Sequence, residues 1–138
     1  MRTIKFRGKR LYDGKWVYGY VLGHDTLPYM AIVTMNNTDK SVINKTTTSV
    51  DPDTIGQFTS LYDKNGKEIY EGDILKAGDS GLLEVRFVRG VFAFLWNGNL
   101  DDEFPTGSPT HEWAEVIGNK HDNPELLEIE KVKDGEDS

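Results

Sequence analysis

Cationic and aromatic residues alternate on two short segments near the N-terminus. This set, which we name the basic-aromatic face, consists of Lys5, Arg7, Lys9, Trp16, Tyr18 and Tyr20. On two paired strands these side chains would share one face, where bases or aromatic ligands could stack on the rings while the cations meet phosphate or carboxylate groups. The simpler alternative is an ordinary solvated β face on which Lys and Arg stems cover the rings.

Acidic residues form a second group that could carry out chemistry, because converging carboxylates can hold magnesium for a nuclease. The group comprises Glu71, Asp73, Asp101, Asp102 and Glu103, with His111 and Glu112 further along the chain. Nothing in this spacing brings the carboxylates together, and Asp73 stands where a turn favours a capping carboxylate. The three histidines lack ligand spacing, and the serines have no adjacent base. We therefore predict a protein that is not an enzyme, with no cofactor and no metal.

The basic-aromatic face needs a hairpin to position it, and Asp13-Gly14 is a strong turn signal between residues 3–12 and 15–22. A two-residue loop at this point pairs Arg7 with Tyr20 and Lys9 with Tyr18. The same register sets Gly8 opposite Gly19 on the other face. A three-residue loop with a bulge would shift the register and change these pairs.

A second hairpin is predicted around Arg89-Gly90, between residues 82–88 and 91–96. A two-residue loop here brings apolar side chains together on one face. The expected pairs are Phe87 with Phe92, Val85 with Phe94, and Leu83 with Trp96. We predict that this hairpin forms the core of the C-terminal half.

Charge and composition narrow the class of protein. The net charge is −7, yet residues 1–23 carry a balance of +5. An acidic chain suits non-specific DNA binding poorly, and only the first hairpin offers a basic surface. The absence of cysteine fits a reducing compartment. No apolar run is long enough to span a bilayer, so we predict a cytoplasmic protein with no membrane partner.

Several segments of this chain resemble the YopX-like family. They are residues 1–9, 14–20, 55–59, 63–74, 116–119 and 123–127, in the expected order. The resemblance implies a small product of a phage or prophage that is mostly β, with a compact barrel-like C-terminal portion. No activity is established for that family, so the resemblance assigns no catalytic residues.

These observations predict a mainly β protein in three parts. An N-terminal β portion of hairpins (1–62) packs on an SH3-like small barrel (63–120), followed by a short helix and a frayed acidic tail (121–138). Asn123-Pro124-Glu125 predicts the start of that helix, which docks through Leu126 and Leu127.

The predicted function is that of a phage- or prophage-encoded accessory protein that acts as a non-enzymatic binding module. Its expected partner is a host or phage protein. The alternative is an accessory protein that binds nucleic acid through the basic-aromatic face, and a metal-dependent nuclease is a third, weaker alternative. Unpaired strand edges and exposed aromatic side chains in a small β fold also predict a homo-oligomer.

Overall fold

The computed structural model describes residues 3–23, 30–39, 42–79, 81–99, 103–104 and 109–127. It is mainly β, as predicted, with antiparallel strands and a short C-terminal helix. The chain divides into two compact units, Met1–Phe58 and Thr59–Ser138.

The first unit is a succession of antiparallel strands. They are β1 (Phe6–Lys9), β2 (Trp16–Leu22), β3 (Met30–Asp39), β4 (Val42–Val50) and the first residues of β5 (Gly56–Tyr62). The order is β4-β3-β2-β1, and β5 pairs with β1 on its other side. The end of β4 returns to β1 through a bridge between Arg10 and Val50. Val50 is fully buried there, against Gly8.

This close approach favours glycine at position 8. A β-carbon built on Gly8 would lie 3.1 Å from Cγ2 of Val50, tighter than an ordinary contact. A 3-10 turn at Pro52–Thr54 then leads into β5. Asp51 caps this turn by accepting a hydrogen bond from the Asp53 amide at 3.0 Å, as an N-cap aspartate does.

The register predicted for the first hairpin is wrong. Arg7 pairs with Tyr18, and Lys9 pairs with Trp16. The loop has four residues rather than two, because the Arg10 amide bonds the Lys15 carbonyl at 2.9 Å and closes residues 11–14. Gly14 ends this loop with φ +70°, in the left-handed region that favours glycine. Since the shift is two residues along β2, each side chain keeps its predicted face, although Gly8 now lies opposite Val17.

The second unit contains the remainder of the strands. After the second half of β5 come β6 (Glu68–Tyr70), β7 (Asp73–Ala77), β8 (Leu82–Val88), β9 (Val91–Trp96), β10 (Glu103–Phe104) and β11 (Ala114–Asn119). A short helix, α1 (Thr110–Trp113), precedes β11, and residues 125–127 form the C-terminal helix α2. Five of the strands form one antiparallel sheet in the order β10-β9-β8-β7-β11.

The hairpin around Arg89-Gly90 has the predicted register. Phe87 lies opposite Phe92, and Val85 lies opposite Phe94. Arg89 and Gly90 both have positive φ, +50° and +82°, as a two-residue type I′ turn requires. Leu83, Val85 and Phe94 are fully buried in the core of this unit, together with Ile69, Leu75 and Ala114. Phe92 and Trp96 are half-buried, and Phe87, which lies near the tip of the hairpin, has half of its surface exposed.

The SH3-like barrel predicted for residues 63–120 is not confirmed. In the part of the chain that the structure describes, the five-stranded sheet has two ends, β10 and β11, which do not pair with each other. The helix predicted after Asn123 is present at residues 125–127, and Leu127 is buried while Leu126 is half-buried. The predicted frayed tail lies outside the described residues. None of the helices described is long and apolar enough to cross a membrane.

Candidate functional site

The basic-aromatic face is assembled by three adjacent strands of the first unit. Alternation along β1 places Arg7 and Lys9 on one side, and the pairing of β1 with β2 adds Tyr18 and Trp16 to that side, while Lys5 immediately precedes β1. On the other edge of β1, Gly56 of β5 lies opposite Arg7.

The cations of this face lie over rings of the same unit. The guanidinium carbon of Arg7 is 4.6 Å from the centre of the Trp16 ring, and Lys9 Nζ is 5.8 Å from the same centre. Lys5 Nζ lies 5.3 Å from the ring centre of Phe58. These are cation–π distances. Only 6% of the Arg7 surface is exposed, so Arg7 positions Trp16 and is not displayed to a partner, in contrast to what the sequence predicts.

Tyr18 and Tyr20 are the rings of this face that are available to a partner. They are 47% and 52% exposed, respectively, whereas Trp16 is half-buried. Tyrosine contributes a large rigid contact area at a low cost in side-chain entropy, together with a hydroxyl that can donate or accept a hydrogen bond. The exposed part of the face is therefore a pair of tyrosines beside the half-buried Lys5 and Lys9.

The tip of the same hairpin is ordered by charge. The Arg10 guanidinium forms two hydrogen bonds with the Asp13 carboxylate, one of them 3.0 Å from Nε to Oδ1. That hydrogen bond lowers the pKa of Asp13 below its ordinary value. The guanidinium also lies 4.8 Å from the centre of the Tyr12 ring. Asp13 in turn accepts a hydrogen bond from the Lys15 amide at 3.1 Å. These contacts favour the four-residue loop over the two-residue turn that the sequence predicts.

The described members of the acidic group, which the sequence offered as a weak nuclease alternative, do not assemble a metal site. Asp73 is buried and accepts a hydrogen bond from the Tyr70 amide at 2.7 Å, the capping role expected of it. Glu112 is exposed on α1, 3.8 Å from His111 Nε2. Asp101 and Asp102 lie outside the described residues, and Glu103 lies in β10. Within the described ranges, no three His, Asp or Glu side chains are placed to hold a metal ion.

Sequence reasoning missed the structural importance of Asp63, which is 2% exposed. Its carboxylate accepts hydrogen bonds from three backbone amides: Asn65 at 2.8 Å, Lys67 at 2.9 Å and Val116 at 3.0 Å. Burial by itself would raise the pKa of Asp63, but these backbone donors outweigh it and keep the pKa below its ordinary value. The turn sequence Asp63-Lys64-Asn65-Gly66 indicates that Asp63 bonds amides within the turn. No neighbouring residue indicates the hydrogen bond from Val116.

Sequence reasoning also missed a cleft in the second unit, which has a volume of about 440 Å³. Two tryptophans, Trp96 and Trp113, line it together with the turn at 77–79. Lys64 and Glu112 complete its rim. These residues are far apart in the sequence, so no motif marks them as a set.

Architecture and surface together describe a small, mainly β protein with tyrosines displayed on a strand face. The family model of the YopX protein matches residues 5–128 of the chain. The protein therefore belongs to the YopX family, in agreement with the resemblance found in its sequence. No curated protein matches it.

A solved structure shows the same fold. The chain is similar to the crystal structure of protein EF1440 from Enterococcus faecalis, with a TM-score of 0.60 and 24% sequence identity. The match covers 92% of this chain and 99% of that chain. At this level of identity the likeness concerns the fold, because one fold hosts many functions.

Proposed function

We propose that this protein is a phage- or prophage-encoded accessory protein that acts without catalysis, as a binding module for a host or phage protein. The observation that carries the proposal is the exposed tyrosine pair, Tyr18 and Tyr20, on a strand face whose cations are already held against rings. Cytoplasmic location and a non-enzymatic role are parts of the same proposal.

The chemistry of this face suits a protein partner. Tyrosine is enriched at protein–protein interfaces and contributes strongly to their binding energy. Tyr18 and Tyr20 stand two residues apart on β2, so their side chains lie on the same side of the strand. Stacking of Arg7 on Trp16 reduces the mobility of the surface beneath them, and a surface that is ordered before binding loses less entropy when the partner docks.

Nucleic acid is the second candidate partner, favoured by the local charge of +5 in residues 1–23. Bases can stack on exposed tyrosine rings, while Lys5 and Lys9 beside them meet phosphates. Because the whole chain carries a charge of −7, such binding would depend strongly on salt and would be confined to this face.

The test is the capture of partners from host-cell extract by the full chain, with and without nuclease treatment. The double substitution Tyr18→Ala plus Tyr20→Ala removes the displayed rings. Tyr62→Ala is the matched control, because Tyr62 lies on a strand of the other unit and is 48% exposed, close to the 47% of Tyr18. We expect the wild type and Tyr62→Ala to retain the same protein, and the double variant to lose it.

The two candidate partners give different results in this experiment. Retention of a protein after nuclease treatment supports the binding-module proposal. If the wild type retains only nucleic acid, and this retention is lost in the double variant and at high salt, the result favours nucleic-acid binding. If the double variant retains everything that the wild type retains, the tyrosine pair is not the contact surface and the proposal is wrong.

A further inference from the structure

The cleft in the second unit is a separate surface, formed by residues that four segments supply. Trp96 comes from the end of β9, and Trp113 from the end of α1. The turn after β7 contributes Asp79, and the turn after β5 contributes Lys64. Its volume of about 440 Å³ lies within the range of about 300–1,000 Å³ that ligand pockets occupy.

The two indole rings that line the cleft are held by the body of the unit. Trp113 packs edge-on against the fully buried Phe94, with ring centres 6.2 Å apart and planes at 81°. Trp96 lies beside the backbone of Gly81, where a β-carbon would stand 3.6 Å from Cζ3 of the indole. Both tryptophans also pack against the main core cluster. The aromatic walls are therefore in place before any ligand enters, which lowers the entropic cost of binding.

The charges around the cleft are predominantly negative. Asp79 and Glu112 are both exposed at its edge. The one cation among the residues described as lining it is Lys64, and Lys64 Nζ already lies 3.7 Å from the Glu115 carboxylate. An entering anion would therefore meet two carboxylates and a single lysine that already faces a third carboxylate. An entering cation would meet those carboxylates together with two indole rings, whose π-systems attract cations.

We propose that this cleft binds a basic side chain, arginine or lysine, of a partner protein. Two independent features favour a cation over other ligands: the ring quadrupoles of Trp96 and Trp113, and the carboxylates of Asp79 and Glu112. A side chain fits better than a free cation, because its aliphatic stem covers the indole rings while the charged end reaches the rim. This site lies in a different unit from the tyrosine pair and does not depend on it.

The test uses the full chain and follows its tryptophan indole N–H signals by NMR. The chain has three tryptophans, of which two line the cleft while Trp16 lies in the other unit and reports on the basic-aromatic face. The probe is acetyl-Gly-Arg-Gly-amide, compared with the same peptide carrying citrulline, an uncharged analogue of arginine of nearly the same shape. We expect the arginine peptide to shift the signals of Trp96 and Trp113 and to leave Trp16 unchanged. The citrulline peptide should bind at least about fivefold more weakly, as the loss of one cation–π contact implies.

Substitutions at the rim test the electrostatic part without disturbing the core. Asp79→Asn plus Glu112→Gln removes both carboxylates while keeping their shape, and should raise the Kd for the arginine peptide about threefold to tenfold. Asp53→Asn plus Glu125→Gln is the matched control, because both residues are exposed and neither is among those lining the cleft. It should leave the Kd unchanged.

Three results would overturn the proposal. One is the absence of any shift at Trp96 and Trp113 at millimolar peptide. Another is equal binding of the arginine and citrulline peptides, which would make the cleft an apolar pocket that does not recognise charge. The third is a shift of these two signals with protein concentration alone, which would assign the cleft to a second copy of the chain. A shift confined to Trp16 would count with the first result, and would locate the peptide on the basic-aromatic face.

Discussion

Replacing Asp63 by asparagine removes a buried charge that joins the turn after β5 to strand β11. The carboxylate accepts backbone hydrogen bonds from Asn65 and Lys67 within the turn, and from Val116 of β11, 53 residues away. Two of these bonds define the shape of the turn, and the third fixes the turn to the sheet. Asparagine keeps the shape of the side chain but replaces one acceptor oxygen by an NH₂ group, which cannot accept a hydrogen bond from an amide.

The expected destabilisation follows from these three bonds. A hydrogen bond to a charged group contributes about 1.5–3 kcal/mol. Asn65 and Lys67 lie in an exposed turn, so water can partly replace the hydrogen bonds that their amides lose. The Val116 amide lies within a strand, where water replaces its hydrogen bond less readily. We therefore expect Asp63→Ala to lower the free energy of unfolding by about 3 kcal/mol. Asp63→Asn should lower it by about 2 kcal/mol, because the remaining oxygen of the asparagine side chain can still accept a hydrogen bond.

The same carboxylate makes stability depend on pH. Its pKa in the folded protein is lower than its ordinary value, and in the unfolded chain it is about 3.9. The unfolded state therefore takes up the proton first as the pH falls. The contribution of Asp63 is complete well above pH 4 and is lost as the pH falls below about 3.9 and through the folded pKa. The difference between the wild type and Asp63→Asn should thus be largest near neutral pH and shrink in acid.

Urea unfolding at pH 7, 5 and 3 measures both effects, with tryptophan fluorescence recorded in a Trp16→Phe background so that the signal comes from Trp96 and Trp113 of the second unit. Asp79→Asn serves as the matched control, because Asp79 is exposed in a turn and its replacement should change stability by less than about 0.5 kcal/mol. If Asp63→Asn behaves like this control at pH 7, the three hydrogen bonds of Asp63 do not stabilise the fold. A difference that persists undiminished at pH 3 would refute the electrostatic part alone.

Three further outcomes are expected. Gly118→Ala should lower the free energy of unfolding by about 2 kcal/mol, because the β-carbon of the alanine would lie 2.5 Å from Oδ1 of Asn123. The loss should be smaller in an Asn123→Ala background, and an equal loss in both backgrounds would exclude this clash. Gly90→Ala should cost about 1 kcal/mol in urea unfolding, since the site has open space but a φ of +82°, and a neutral result would contradict the backbone argument. Light scattering should give the mass of a homo-oligomer, as exposed strand edges predict; a monomeric mass at working concentration would overturn this.

Two hairpins with similar turn signals illustrate how far sequence reasoning reaches. At Arg89-Gly90 the pattern of apolar residues on both strands agrees with one loop length, and the register is as predicted. At Asp13-Gly14 the same reasoning predicts the right faces but the wrong partners, because a shift of two residues leaves the alternation unchanged. Contacts of Arg10 with Asp13 and Tyr12 favour the longer loop. A hydrophobic pattern does not encode such contacts.

Burial was the property least accessible from the sequence. Arg7 was expected on a surface open to partners, yet it is almost completely buried, and so is Glu84. Arg7 lies against Trp16, and Glu84 forms an ion pair with Arg86. An isolated charge would not be tolerated there, so such positions depend on partners that the fold supplies.

The sequence by itself determined the mainly β class, the family, and the side of each strand on which a residue lies. These depend on turn residues and on alternation, which act between neighbours in the chain. Only the tertiary structure decided that Asp63 bonds an amide of β11, and that Trp96 and Trp113 line one cleft with Asp79. The physical reason is that these contacts join segments that are far apart along the chain. The geometry of the contacts is fixed by how the strands pack, and not by the local preferences of the residues involved.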